Sequence, residues 1–221
     1  MPPVGAKTST PGSPQPPAEL CRNIACKVLL GEATCSTGAL SWTMDYSGNV
    51  FLVGPMGVGK TTIGRALAER MKLDFFDSDQ EIEAATGADI PWIFDVEGEQ
   101  GFRQREVKMI NLLSGRKNIV LATGGGAVLD KKNRKRLKKR GLVVYLRASI
   151  KQQIDRTARD RHRPLLQNGN PEQTIKDLMV VREPLYLEVA DVVVDTNRRN
   201  PKSVSNEIIK QIKIHQQSSG S

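Results

Sequence analysis

Cysteine is scarce in this chain of 221 residues: Cys21, Cys26 and Cys35 are the whole supply, and all stand in its first fifth. An odd number, in no metal-ligand or redox spacing, excludes a disulfide framework and a cysteine zinc site, and a reducing, cytoplasmic setting fits best. Apolar runs long enough to cross a bilayer are missing too, so no membrane partner is expected. The first residues have neither the basic start nor the apolar core of a secretory signal. Residues 1–47 hold a single arginine, Arg22, which makes a poor organelle transit peptide. Organelle targeting is therefore the alternative to a cytoplasmic location, and Met44, just before the first expected strand, offers a later start. The same stretch is rich in Pro, Ser, Thr and Gly and has no sustained helical or strand period. It reads as a disordered extension ahead of one domain over 48–217, with 218–221 flexible.

Charge, by contrast, is plentiful. Lys and Arg number 33 against 24 Asp and Glu, a net +9. Between Lys131 and Arg140 only Asn133 and Leu137 lack a positive charge. No recognition motif accompanies this run, so it reads as a solvated helix face or as a source of positive field for anionic substrates, and no nucleic-acid partner is expected.

The most informative stretch is Gly54-Pro55-Met56-Gly57-Val58-Gly59-Lys60-Thr61-Thr62. It follows the apolar run Val50-Phe51-Leu52-Val53 and precedes Ile63, Ala66, Leu67 and Met71, which recur at helical spacing. Strand, glycine turn and helix are the setting of a phosphate-binding loop. The glycines let successive N–H groups point at a polyphosphate, and the following helix adds the positive end of its dipole. Lys60 supplies a point charge for the terminal phosphates, and the Thr61 hydroxyl can ligate the Mg2+ that accompanies ATP.

Further along, Leu73 to Asp79 is a short strand ending in Asp77 and Asp79, followed by helical patterns at Glu81–Thr86, near Pro91 and from Gly101 to Leu113. Ile119–Ala122 is a buried strand running into Thr123-Gly124-Gly125-Gly126, where a tight turn or a close approach should offset the backbone entropy of three glycines. After the basic helix come the strand Leu142–Leu146 and a helix carrying Ile150, Ile154 and Ala158. A polar, basic segment over about 159–170 reads as a lid. Asn170, Pro171 and Gln173 form a helix start, as cap, first-turn proline and capping-box partner, and that helix should stop at Glu183 before Pro184, placing Arg182 in its last turn. Val192–Val194 is a last strand and Pro201–Ile214 a last helix. Strands alternating with helices imply an α/β fold, a parallel sheet in three layers.

Taken in order, Gly54–Thr61, Asp77-Ser78-Asp79, Gly101-Phe102-Arg103, Gly124-Gly125-Gly126, Arg163-Pro164-Leu165-Leu166 and Arg182-Glu183-Pro184-Leu185-Tyr186 resemble shikimate kinase. The resemblance runs from about Asn49 to Ile214. It implies the phosphate-loop fold of the nucleoside monophosphate kinases, a five-stranded parallel sheet in strand order 2-3-1-4-5, and transfer of the ATP γ-phosphoryl to the 3-hydroxyl of shikimate. It also implies roles. Gly57, Val58, Gly59, Lys60, Thr61 and Thr62 would hold ATP, with Arg163 closing over it and Arg199 near adenine. Arg103 and Arg182 would bind the acceptor's carboxylate, the Gly125 amide would donate to the acceptor, and Asp79 would grip its hydroxyls and orient or deprotonate the nucleophile. Thr61 and Asp77 would serve the metal, Asp77 through water. The family is commonly monomeric, so a monomer is expected.

Other readings of these residues stand beside the resemblance. Asp77 or Asp79 could simply cap the next helix. Arg105 could replace Arg103, or pair with Glu106 or Glu99 on the surface. Arg161 and His162 read as solvated lid residues. For the whole chain, the rivals are another small kinase of the same fold, such as gluconate kinase, and a non-catalytic ATP-binding or nucleic-acid-associated protein.

Overall fold

The structure is a computed structural model in which residues 46–157 and 170–219 are described. All of them belong to one of the chain's two units, Trp42–Ser221. The segment 1–45, with its cysteines and possible start at Met44, and most of the expected lid, with Arg161, His162 and Arg163, lie outside the described residues.

Five strands alternate with helices: β1 (Val50–Val53), α1 (Lys60–Met71), β2 (Asp74–Asp77), α2 (Ser78–Thr86), α3 (Ile90–Leu113), β3 (Ile119–Ala122), α4 (Lys131–Arg140), β4 (Leu142–Arg147), α5 (Ile150–Thr157), α6 (Pro171–Val189), β5 (Val192–Asp195) and α7 (Pro201–Ser219). The sheet has the order β2-β3-β1-β4-β5, and every pairing is parallel. The central strands β1 and β3 are buried throughout, as their unbroken apolar runs require.

Alternation along the strands feeds two cores. Val50, Leu52, Val120, Val144 and Leu146 pack with Ile63, Leu67 and Met71 of α1 and Val204, Ile208 and Ile212 of α7. Phe51, Val53, Leu121, Val143 and Tyr145 face the other way, onto Ile110 and Leu113 of α3, Leu137 of α4 and Ile175, Met179 and Tyr186 of α6. A smaller cluster of Ile82, Ile93 and Phe102 joins α2 to α3. These are the three expected layers, and they bring the carboxyl ends of β1, β2 and β3 to one edge, where open α/β sheets bind ligands.

Several boundaries depart from the sequence reading. The helix expected to stop at Glu183 runs through Pro184 to Val189. Proline removes one backbone donor, but Val180, whose carbonyl loses its partner, is 76% exposed and can turn to water, while buried Tyr186 and Val189 hold the final turns against the sheet. Arg182 is therefore mid-helix and gains nothing from a helix end. Asn170 does cap α6, accepting from the Glu172 N–H at 3.0 Å, but Gln173 pairs with Asp177 at 2.8 Å instead of closing a capping box. The patterns near Pro91 and from Gly101 join in α3, broken at Gly98, whose φ of 70° and ψ of 177° are non-helical. The basic run forms α4, in which the uncharged Asn133 and Leu137 are the buried residues, and α7 continues five residues past Ile214 to Ser219.

Candidate active site

The loop between β1 and α1 needs its glycines for geometry: Gly57 and Gly59 have φ of 73° and 92°, in the left-handed region that side chains disfavour. Gly59 begins α1, and no side chain caps that end. Where α2, α3, α4 and α6 have Asp77, Asp89, Asp130 and Asn170 as caps, α1 keeps its first-turn N–H groups for something else. Lys60 folds over the loop, its Nζ 2.8 Å from the Gly54 and Pro55 carbonyls.

At the end of β2, Asp77 serves two partners. Its Oδ1 accepts the Asp79 N–H at 3.0 Å and caps α2, and its Oδ2 accepts the Thr61 hydroxyl at 2.7 Å. The capping reading and the metal reading of this carboxylate are thus compatible. A hydroxyl beside a carboxylate is the hard, all-oxygen donor set that Mg2+ prefers. Among the described residues no group of three or more His, Cys, Asp or Glu could hold a metal.

Of the three glycines after β3, Gly124 and Gly126 are crowded by side chains, while a methyl group on Gly125 would meet only ordinary van der Waals contact. None has a positive φ. A methyl group on Gly124 would fall 2.5 Å from Glu106 Oε1 and 2.7 Å from Asp79 Oδ1, and one on Gly126 would run into the Arg103 guanidinium. On Gly125 it would lie 3.4 Å from the Met56 nitrogen and 3.7 Å from an Arg182 guanidinium nitrogen. One turn therefore gathers Asp79, Arg103, Arg182 and the phosphate loop. Thr123, where many phosphate-loop enzymes have an acidic residue, donates its hydroxyl to the Leu52 carbonyl at 3.1 Å.

Glu106 was not singled out from the sequence as a site residue. It is 1% exposed and bonds Arg103 at 2.9 Å, while Glu99 takes the other edge of the guanidinium at 3.0 and 3.2 Å. Burial pushes the Glu106 carboxyl up, opposed by Arg103 and then Arg182. Its Oε1, the atom facing Gly124, has no hydrogen-bond partner. Burial works against the charge of Arg103, yet Glu106 and Glu99 together raise its pKa, so the guanidinium stays ionised. Arg105 instead pairs with Glu97 through two bonds of 2.5 and 2.8 Å, not with Glu99 or Glu106.

Three more residues, Ser78 and Tyr186 within the motifs and Arg156 outside them, have no role assigned from the sequence. Ser78, fully buried, accepts the Gly124 N–H at 2.9 Å. Tyr186 donates to the Gly125 carbonyl at 2.5 Å. Arg156 of α5 donates to the Gly57 and Val58 carbonyls at 3.2 and 3.0 Å. It also lines a cleft of about 190 Å³ with Val58, Gly59, Thr62, Arg199 and Pro201. Arg199 thus borders the phosphate loop, its guanidinium bonded to Ser203. The signal for Arg156 was its place one helix turn before the basic lid; Glu106 could have been found as a lone charge on the apolar side of α3.

A family model described as shikimate kinase matches residues 56–213. A shikimate kinase of Alteromonas mediterranea is 60% identical over 164 residues, spanning 74% of this chain and 96% of that protein. One of Chromohalobacter salexigens is 60% identical over 164 residues, 74% of this chain and 91% of the other. Among solved structures, shikimate kinase from Acinetobacter baumannii in complex with shikimate superposes with a TM-score of 0.74 at 53% identity, covering 75% of this chain and 92% of that one. The Aquifex aeolicus shikimate kinase gives 0.66 at 32% identity, covering 75% and 96%.

Proposed function

The chain belongs to the shikimate kinase family, and from that premise we propose how its residues divide the work of moving the γ-phosphoryl of ATP onto the 3-hydroxyl of shikimate. The reaction makes shikimate 3-phosphate and ADP on the route to chorismate and the aromatic amino acids. The observation that carries the assignment of roles is the triple-glycine turn, where acceptor-side residues crowd within contact of the phosphate loop.

The uncapped end of α1 and the loop N–H groups hold the triphosphate, and Lys60 supplies a positive charge at its terminal phosphates. Arg156 and Arg199 border the nucleotide on the side of the 190 Å³ cleft. Arg163, by resemblance, closes over ATP. Bound with ATP, Mg2+ neutralises phosphate charge, and Thr61 and Asp77 are the residues that would hold it, Asp77 through water.

Arg103 and Arg182 take the carboxylate of shikimate, whose planar oxygens match a guanidinium better than an ammonium. Glu106 and Glu99 hold Arg103 in place. The Gly125 N–H donates to the acceptor. Asp79 accepts the proton of the 3-hydroxyl as its oxygen bonds the γ-phosphorus. The bond from that phosphorus to the β–γ bridging oxygen breaks, and ADP carries away the electron pair. A monomer in the cytoplasm is the setting we infer; among the described residues no helix is long and apolar enough to cross a membrane.

Shikimate-dependent ADP release by the purified protein, run beside gluconate and AMP, tests the acceptor. Turnover with shikimate alone is expected; turnover of AMP without shikimate would overturn the reading.

A further inference from the structure

We propose that Tyr186 is a positioning residue for the acceptor: its hydroxyl locks the Gly124–Gly126 turn in the one conformation that presents the Gly125 amide to the substrate. The inference rests on Gly125 being an acceptor contact, as assigned above.

Three consecutive glycines have the widest conformational freedom available to a backbone and no side chains to restrict it. Something outside the turn must therefore hold it. The Gly124 N–H is bonded to Ser78, and the Gly124 and Gly126 carbonyls accept from Ala127 and Leu129 at 3.1 and 2.9 Å. The central carbonyl, that of Gly125, receives the Tyr186 hydroxyl at 2.5 Å.

Tyr186 is built to be an immobile donor. It is fully buried and lies on the Tyr145 ring, centroids 5.1 Å apart and planes 20° apart. Burial raises its phenol far above the usual range, against the pull of Arg182 one helix turn earlier, so the proton stays on the oxygen. A phenol that keeps its proton can donate to a carbonyl at every working pH. Because Arg182 and Tyr186 are four residues apart on one face of α6, and Arg182 also approaches Gly125, one helix fixes the guanidinium and the amide relative to each other. Pro184 between them is compatible with this, since α6 runs through it unbroken.

Tyr186→Phe keeps the ring stack and removes the hydroxyl. Steady-state kinetics should show the KM for shikimate raised roughly tenfold, the effect of a turn that holds its binding conformation only about a tenth of the time, with the KM for ATP within twofold of wild type. Tyr145→Phe, which leaves the Tyr186 bond in place, should change neither KM. Amide hydrogen exchange of the peptide containing Gly124–Ala127, measured without substrate, should accelerate in Tyr186→Phe while β1 stays protected.

A purely structural role would lower the melting temperature without the selective KM change, and an unchanged shikimate KM would overturn the proposal. If exchange accelerates but that KM is unmoved, the turn is loosened without consequence for the acceptor, and the proposal fails. If Arg182→Ala is equally silent, the fault lies in the acceptor-site assignment itself. Should Tyr186→Phe not fold, exchange in Tyr186→Met, which likewise removes the donor, supplies the same comparison, and protection equal to wild type would overturn the lock.

Discussion

The Thr61 hydroxyl and the Asp77 carboxylate meet at 2.7 Å, joining the first turn of α1 to the end of β2. The same carboxylate caps α2, so one side chain ties the first turn of α1 to the helix that begins with Ser78 and Asp79.

Asp77→Asn and Asp77→Ala should separate these two duties. Asparagine is as good a cap as aspartate, so Asp77→Asn should keep wild-type stability, whereas Asp77→Ala should lose about 1 kcal/mol in urea titration. Both should raise the Mg2+ concentration for half-maximal turnover, roughly tenfold or more. An unchanged Mg2+ dependence in Asp77→Asn would leave capping as its whole role.

Glu106 should leave a pH signature. The unfolded chain ionises it near 4.5, and burial raises its folded pKa. Between the two values the native state binds more proton than the unfolded state, so the stability Glu106 contributes is full below 4.5 and is lost as pH rises through the folded pKa. Glu106→Gln cannot titrate. The stability of wild type relative to this variant should therefore fall as pH climbs above 4.5 and then level off. Denaturation midpoints that stay parallel across pH would assign the slope to another group. At a pH above the point where that curve levels off, where the wild-type carboxylate is charged, the same variant should bind shikimate roughly tenfold more weakly, because a neutral amide holds Arg103 less firmly.

Arg182 is 5% exposed and faces Gly125. Arg182→Ala should raise the shikimate KM about 10- to 100-fold, the range for losing a charged hydrogen-bonding partner, and leave the ATP KM almost unmoved. Arg182→Lys should recover little, since an ammonium cannot offer the two parallel bonds of a guanidinium. A larger effect on ATP than on shikimate would misplace the residue.

Gly126→Ala sets a small backbone gain against a lost ion pair. With φ of −97° and ψ of −2° the position suits alanine, and restricting the unfolded chain should add about 0.4–1 kcal/mol. The new methyl would meet the flexible end of Arg103, which must move off its place between Glu99 and Glu106. Leaving buried Glu106 without that partner outweighs the backbone gain, so the expected variant melts below the wild-type temperature and needs more shikimate. Unchanged affinity would show that Arg103 acts elsewhere.

Local rules were enough for the phosphate loop because its chemistry is carried by consecutive backbone groups: glycine spacing, a strand before and a helix after specify Lys60 and Thr61 without reference to distant residues. Periodicity likewise yielded the strands and most helices. Where packing competes with a local signal, the local signal lost: Pro184 does not end α6, because buried Tyr186 and Val189 anchor the turns beyond it.

The acceptor side needed more. The motif order and the family resemblance pointed to Asp79, Arg103, Gly125 and Arg182, but what gathers around the three glycines is tertiary. Glu106 and Asp79, Arg182, and Arg103 approach them from three separate helices. No spacing along one segment encodes that crowding, because it arises only when the sheet order brings β2 and β3 together and lays α3 and α6 against their ends. The sequence alone therefore determined a local wrap of backbone amides suited to a triphosphate. The folded chain decided which charges face one another around the glycine turn, since that depends on distances between residues far apart in sequence.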